Sequence, residues 1–103
     1  MSIRILMLGD VVGQPGLMAV MQQAPLLREK YKADLLIVNG ENAANGSGIT
    51  PNQYQRLCDA GVDGITLGDH CYKRNQILPT LETQSNIIRP ANLSEEAVGK
   101  TWA

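Results

Sequence analysis

The chain has no phenylalanine, one tryptophan, one histidine and two cysteines among its 103 residues. Aromatic side chains normally bury the largest areas, so a core here must rest on Leu, Ile, Val, Met and Ala. Cys58 and Cys71 are too few for a disulfide framework and lack the spacing of a thiolate metal site. They read as reduced thiols in a cytosolic protein. Charge of one sign is also missing. The formal net charge is −1 and the basic residues are scattered, whereas a nucleic-acid footprint needs a basic stripe. Binding to a nucleic-acid duplex is therefore not expected. Long apolar runs are absent as well. Ile5-Leu6-Met7-Leu8 follows Arg4 and gives way to Gly9-Asp10, which is too short for a secretory segment. Nothing approaches the ~20 apolar residues of a membrane span. The expectation is a cytoplasmic chain that makes no use of a membrane.

What is present is a pattern used three times. Ile5-Leu6-Met7-Leu8 runs into Gly9-Asp10, Leu35-Leu36-Ile37-Val38 runs through Asn39 into Gly40-Glu41-Asn42, and Gly64-Ile65-Thr66-Leu67 runs into Gly68-Asp69-His70. Each apolar run reads as a strand covered on both faces. Between them lie helical stretches. Pro15 suits a first turn, and Pro25 should split the first stretch into helices at 15–23 and 25–31, because proline lacks a donor and clashes with the preceding turn. Leu26 and Leu27 are expected to face the sheet, with Arg28, Glu29, Lys30 and Lys32 in water. Thr50 reads as an N-cap with Pro51 at the first helical position, and Gly61 ends that helix. A further helix carries Ile77, Leu78 and Leu81, and Ile87-Ile88 reads as a fourth strand. The order β-α-β-α-β-α-β gives the fold class: α/β, a parallel sheet with flanking helices. Its length, 103 residues, fits one small domain.

Parallel strands bring Asp10, Glu41 and Asp69 to one sheet edge, the edge where ligands bind in open α/β sheets. Three carboxylates and the imidazole of His70 suit a hard or borderline cation. Each residue has a plainer reading: Asp10 as a turn or cap residue, His70 as a satisfied polar side chain, Asn39 and Asn42 as turn formers. Asn42 is otherwise a ligand or substrate contact. Arg89 meets a phosphate oxygen or is a solvated charge before Pro90. Cys71 reads as structural. Two phosphate motifs are excluded. Gly99-Lys100-Thr101 lacks the earlier glycine of a P-loop, where Ser94 stands, and Gly46-x-Gly48 meets Pro51 where the dinucleotide fingerprint needs glycine.

Taken together, Gly9-Asp10-Val11-Val12-Gly13, Asn39-Gly40-Glu41-Asn42-Ala43-Ala44, Gly48-Ile49-Thr50-Pro51, Ala60-Gly61-Val62-Asp63 and Arg89-Pro90-Ala91-Asn92 resemble the N-terminal part of the YmdB-like metallophosphoesterases, a branch of the calcineurin-like superfamily. The resemblance extends to about Asn92. It implies a bacterial cytosolic phosphodiesterase acting on cyclic nucleotides, including 2′,3′-cyclic ones, or related phosphodiesters. It also implies two metal ions, iron or manganese, with magnesium a further candidate, that activate a hydroxide for attack on phosphorus. By resemblance Asp10 would ligate one metal, Glu41 would bridge both, Asp69 would ligate the second, and Asn42 would lie in or just outside that ligand set. His70 would donate a proton to the leaving oxygen or stabilise it. Asn39 and Arg89 are, on their residue types and placement, the expected substrate contacts.

Two departures stand out. The family carries Gly-Asn-His-Thr-Trp-Asp where this chain has Gly68-Asp69-His70-Cys71-Tyr72-Lys73, so an acid replaces an amide and a base replaces an acid. The family also draws later histidine ligands from a longer chain. The expectation is one metallophosphoesterase domain over 1–103, incomplete relative to the family, with weak or no activity by itself and a tendency to pair with a second copy. The alternative is a non-enzymatic remnant or interaction module with a vestigial metal site. A flavodoxin-like or receiver-like domain also carries acids at strand ends, but not in the order Glu41-Asn42 and Asp69-His70.

Overall fold

The four apolar runs form four parallel strands in a computed structural model that describes residues 1–103. They are β1 (Ile5–Leu8), β2 (Leu35–Asn39), β3 (Gly64–Thr66) and β4 (Ile87–Ile88), in the spatial order β1-β2-β3-β4. The register aligns Leu6 with Leu36, Leu8 with Val38, Val38 with Ile65, and Ile65 with Ile87. These residues form one face of the sheet, on which the core is built together with Leu17, Val20, Ala24, Leu57, Ile77 and Leu81.

The expectation of strands covered on both faces is not met. Along β1, Ile5 and Met7 are 57% and 69% exposed, and Leu35 on β2 is 39% exposed. Strand order explains this. When successive parallel strands are laid down in one direction with right-handed crossovers, every connecting helix falls on the same face. The apolar residues that look out from the other face have no layer above them.

Helix α1 spans Gly13–Tyr31 without a break, with Pro25 inside it. The expected division at Pro25 does not occur. An interior proline costs about 3 kcal/mol, but anchors lie on both sides of it. Leu17, Val20 and Ala24 are buried before it. After it, Arg28 donates from Nη1 to the Gly61 carbonyl at 2.8 Å and from Nη2 to the Asp34 carbonyl at 2.9 Å. The same guanidinium pairs with Asp63 at 2.8 Å, so Arg28 is not a solvated charge as expected. Leu26, expected against the sheet, is 60% exposed, because continuing the helix turns it outward.

Helix α2 (Pro51–Asp59) starts as its sequence suggests. Thr50 is the N-cap, and Gln53 closes a capping box by accepting from the Thr50 N–H at 2.9 Å. A short 3-10 turn, Asn75–Ile77, leads into α3 (Leu78–Thr83). The C-terminal segment returns to the sheet: the Arg89 N–H donates to the Lys100 carbonyl at 2.8 Å. No helix is long and apolar enough to cross a membrane.

Candidate functional site

The carboxyl ends of β1, β2 and β3 deliver their acids to one edge. Glu41 leaves β2 in a loop that doubles back: the Gly48 N–H donates to the Glu41 carbonyl at 2.5 Å and the Gly46 N–H to the Asn42 carbonyl at 2.9 Å. Asp69 and His70 follow β3. One oxygen each from Glu41 and Asp69 and one ring nitrogen of His70 lie within 4.8 Å of one another. Bond lengths of about 2.0–2.2 Å put ligand atoms on opposite sides of a cation roughly 4.2 Å apart, so small side-chain movements would close this group around one ion.

Gly68 makes the approach of the two loops fit. A Cβ there would sit 2.6 Å from Glu41 Cδ and closer still to both carboxylate oxygens. The glycine before Asp69 therefore leaves room for Glu41 arriving from another strand. The Glu41 carboxylate is loosely held. It accepts from Asn39 Nδ2 at 3.4 Å and from the His70 N–H at 3.5 Å, both at the long end of the hydrogen-bond range.

His70 is oriented by a short chain of polar contacts. Asn42 Nδ2 donates to Asp10 Oδ2 at 2.8 Å. A carboxylate only accepts, so this fixes the amide and turns Asn42 Oδ1 toward His70 Nδ1, 2.5 Å away. Because Oδ1 can only accept, Nδ1 carries the hydrogen and Nε2 of the neutral ring is left with its lone pair. That lone pair faces acids, with Asp69 Oδ2 at 3.9 Å. Nε2 is thus placed to take up a proton or to meet a cation.

The expected site residues are brought together unevenly. Glu41, Asp69 and His70 converge, and Asp10 and Asn42 join them through His70 Nδ1. Asn39 stands behind Glu41, and its Oδ1 is buried without a partner. Arg89 is only 5% exposed, so it is not the solvated charge offered as its plainer reading. Its Nε donates to the Gly99 carbonyl at 3.3 Å and its Nη1 to the Pro90 carbonyl at 2.9 Å. The C-terminal segment folds over the guanidinium and replaces water as its acceptor. Cys71 is buried beneath the site. Burial pushes its thiol up, with Glu41 and Asp69 adding to the effect and Arg89 opposing it, so it remains a protonated, structural thiol.

One contributor, Arg74, is not apparent from sequence, where nothing singles it out. Arg74 donates from Nε to the Ser47 carbonyl and from Nη2 to the Ala44 carbonyl, both at 3.0 Å. No local signal marks a side chain that closes a contact across so many intervening residues.

The donor set fits a cation on this geometry. Neither Glu41 nor Asp10 is paired with a lysine or arginine; the ion pairs are Arg28–Asp63 and His70–Asp69. Two carboxylate oxygens with an imidazole nitrogen suit manganese or iron better than magnesium, which prefers oxygen alone.

Residues 6–103 match the family model described as YmdB-like protein, and the chain belongs to that family. It is 44% identical over 97 residues to a 2′,3′-cyclic-nucleotide 2′-phosphodiesterase of Bacillus subtilis, an alignment covering 94% of this chain and 37% of that protein. Among solved structures, a hypothetical protein of Thermus thermophilus superposes with a TM-score of 0.87 at 41% identity, covering 95% of this chain and 38% of that one. A Mycoplasma pneumoniae protein described as a novel phosphatase gives 0.89 at 35% identity, with 97% and 37% covered. The chain thus spans little more than a third of the length of these relatives.

Proposed function

We propose that this member of the YmdB-like family carries the N-terminal ligands of a metal-dependent phosphodiesterase acting on cyclic nucleotides or related phosphodiesters. The observation behind this reading is the convergence of Glu41, Asp69 and His70 from two strand ends within 4.8 Å. Glu41 and Asp69 would hold a divalent cation through oxygen, a set that suits manganese or magnesium, and iron as well where the His70 ring nitrogen joins them. A second ion, as the resemblance implies, would be held by Asp10, with Glu41 shared and Asn42 in or just outside the ligand set. When bound, such ions polarise a phosphoryl oxygen and lower the pKa of water toward neutrality.

The chain's own side chains do the rest. Asn39 steadies Glu41 from behind. Asp10, through Asn42, holds His70 with Nδ1 protonated, so Nε2 is the atom that would take up a proton from the attacking water and pass it to the departing oxygen. Asp69 adds a charge where the family carries an amide, which holds a cation more firmly and makes it a weaker Lewis acid. A substrate contact by Arg89 would fall to Nη2, since Nε and Nη1 are engaged by the Gly99 and Pro90 carbonyls.

Hydrolysis of bis-p-nitrophenyl phosphate by the purified chain with Mn(II) tests the reading. Turnover is expected to be weak and to disappear in both Asp10→Ala and Glu41→Gln. Turnover that survives both substitutions would remove the assignment. Cation binding with no turnover at all would favour the second reading, a non-enzymatic module with a vestigial metal site, which the convergence of only three donor residues keeps in view.

A further inference from the structure

The loop after β2 carries Glu41 and Asn42, and the loop after β3 carries Asp69 and His70. Their side chains meet only if the two loops keep a fixed separation, and the last backbone bond between the two strands, from the Gly40 N–H to the Thr66 carbonyl at 3.0 Å, lies before Glu41 and Asp69. Arg74 bridges this gap. It lies just after the turn in which the Lys73 N–H donates to the His70 carbonyl at 3.1 Å. Its guanidinium reaches back to the Ser47 and Ala44 carbonyls at 3.0 Å each. Its stem lies along Gly48, where a Cβ would come within 2.8 Å of Arg74 Cγ and where φ is +88°. Gly48 in turn donates to the Glu41 carbonyl at 2.5 Å. A continuous contact therefore runs from Arg74 through Gly48 to the backbone of Glu41, and the same arginine sits one turn from His70.

We propose that Arg74 is a positioning residue that sets the spacing of the two loops, and with it the meeting of Asn42 with His70 and of Glu41 with Asp69. The link to cation binding rests on the functional reading above; the link to His70 does not. Arginine suits the task because its rigid planar fork holds Nε and Nη2 in fixed directions toward two carbonyls, whereas a lysine ammonium is a compact point charge on a flexible stem that fixes no such spacing. Arg74 belongs to none of the buried residues of the core, so its loss should loosen the loops and leave the sheet intact.

His70 is the only histidine, so the imidazole 15N–1H spectrum of the metal-free protein in alkaline buffer reports a single ring. Mn(II) affinity, read by electron paramagnetic resonance, reports the acids. Arg74→Ala with an unchanged far-UV circular dichroism spectrum is expected to shift His70 from the Nδ1–H toward the Nε2–H tautomer. It should also weaken Mn(II) binding by about tenfold to a hundredfold, the range typical of a lost outer support. Arg74→Lys should fall between it and the parent in both measurements. A parental tautomer in Arg74→Ala would overturn the proposal. Should the alanine variant not fold, the lysine variant decides: an intermediate spectrum supports the role, and a parental one overturns it. A parent chain that binds no Mn(II) would remove the functional reading of the site, and the tautomer would still decide the role of Arg74.

Discussion

Gly68→Ala should separate cation binding from stability. The added Cβ would lie 2.6 Å from Glu41 Cδ and overlap both carboxylate oxygens. Overpacking against fixed atoms costs about 1–3 kcal/mol, but this carboxylate is the end of a flexible side chain, held only by contacts of 3.4 and 3.5 Å. It can swing away at little cost. Gly68 is not among the positive-φ glycines, so alanine fits the backbone there and reduces unfolded-state entropy by about 0.4–1 kcal/mol. The net change in stability should lie within about 1 kcal/mol of zero on these opposing terms. Mn(II) affinity should fall at least about tenfold, since an oxygen donor has left the group. Gly61→Ala is the converse control. It has nothing within 4 Å but sits at φ +97°, so it should lose roughly 1–2 kcal/mol from left-handed strain and bind Mn(II) as the parent does. Urea denaturation and a Mn(II) titration of both variants are sufficient. Parental Mn(II) affinity in Gly68→Ala, or a stability loss beyond that of Gly61→Ala, would refute the reasoning.

Alkaline stability should report on Tyr54. Burial, reinforced by Cys58 and partly opposed by Asn86, pushes its phenol up from 10.0 to about 12. A folded pKa above the unfolded one favours the neutral form in the fold, so this contribution is full below pH 10 and lost as the pH rises toward about 12. Tyr54→Phe should flatten that part of a urea-midpoint profile against pH, with a smaller slope remaining from Tyr72, which is raised by burial in the same sense; an unchanged profile would contradict the assignment. Pro25→Ala restores a helix donor at an exposed position and should raise the thermal midpoint by the equivalent of about 1–3 kcal/mol, whereas destabilisation would mean that the proline fits its site better than alanine. The open face carrying Ile5, Met7 and Leu35 should promote self-association. Static light scattering is expected to show concentration-dependent mass that falls in Met7→Glu, and a clean monomer at high concentration would sink that expectation.

The fold is readable where local chemistry decides it. Thr50-Pro51 opens α2 and Gly61 follows its end, and four apolar runs between helical stretches specify a parallel sheet. The sharing of one edge by Glu41 and Asp69-His70 follows directly, since parallel strands end together. Three features are less accessible because they depend on tertiary partners. Pro25 reads as a breaker until Arg28 is seen pinned to Gly61, Asp34 and Asp63. Apolar β1 reads as doubly covered until strand order places every helix on one face. Arg89 reads equally as a phosphate contact or a surface charge until the segment around Gly99 folds over it. Within the site, residue types suggest the ligands, but the Asn42–His70 contact depends on loop spacing, which no local pattern encodes.

The most direct measurement is a Mn(II) titration of the metal-free chain, followed by electron paramagnetic resonance, beside Glu41→Gln and Asp69→Ala, with Glu82→Gln as a remote acidic control. Saturable binding is expected in the parent and in Glu82→Gln, and its loss in the other two. Binding that is equal in all four proteins, or absent from the parent, would contradict the claim that Glu41 and Asp69 meet to hold a cation.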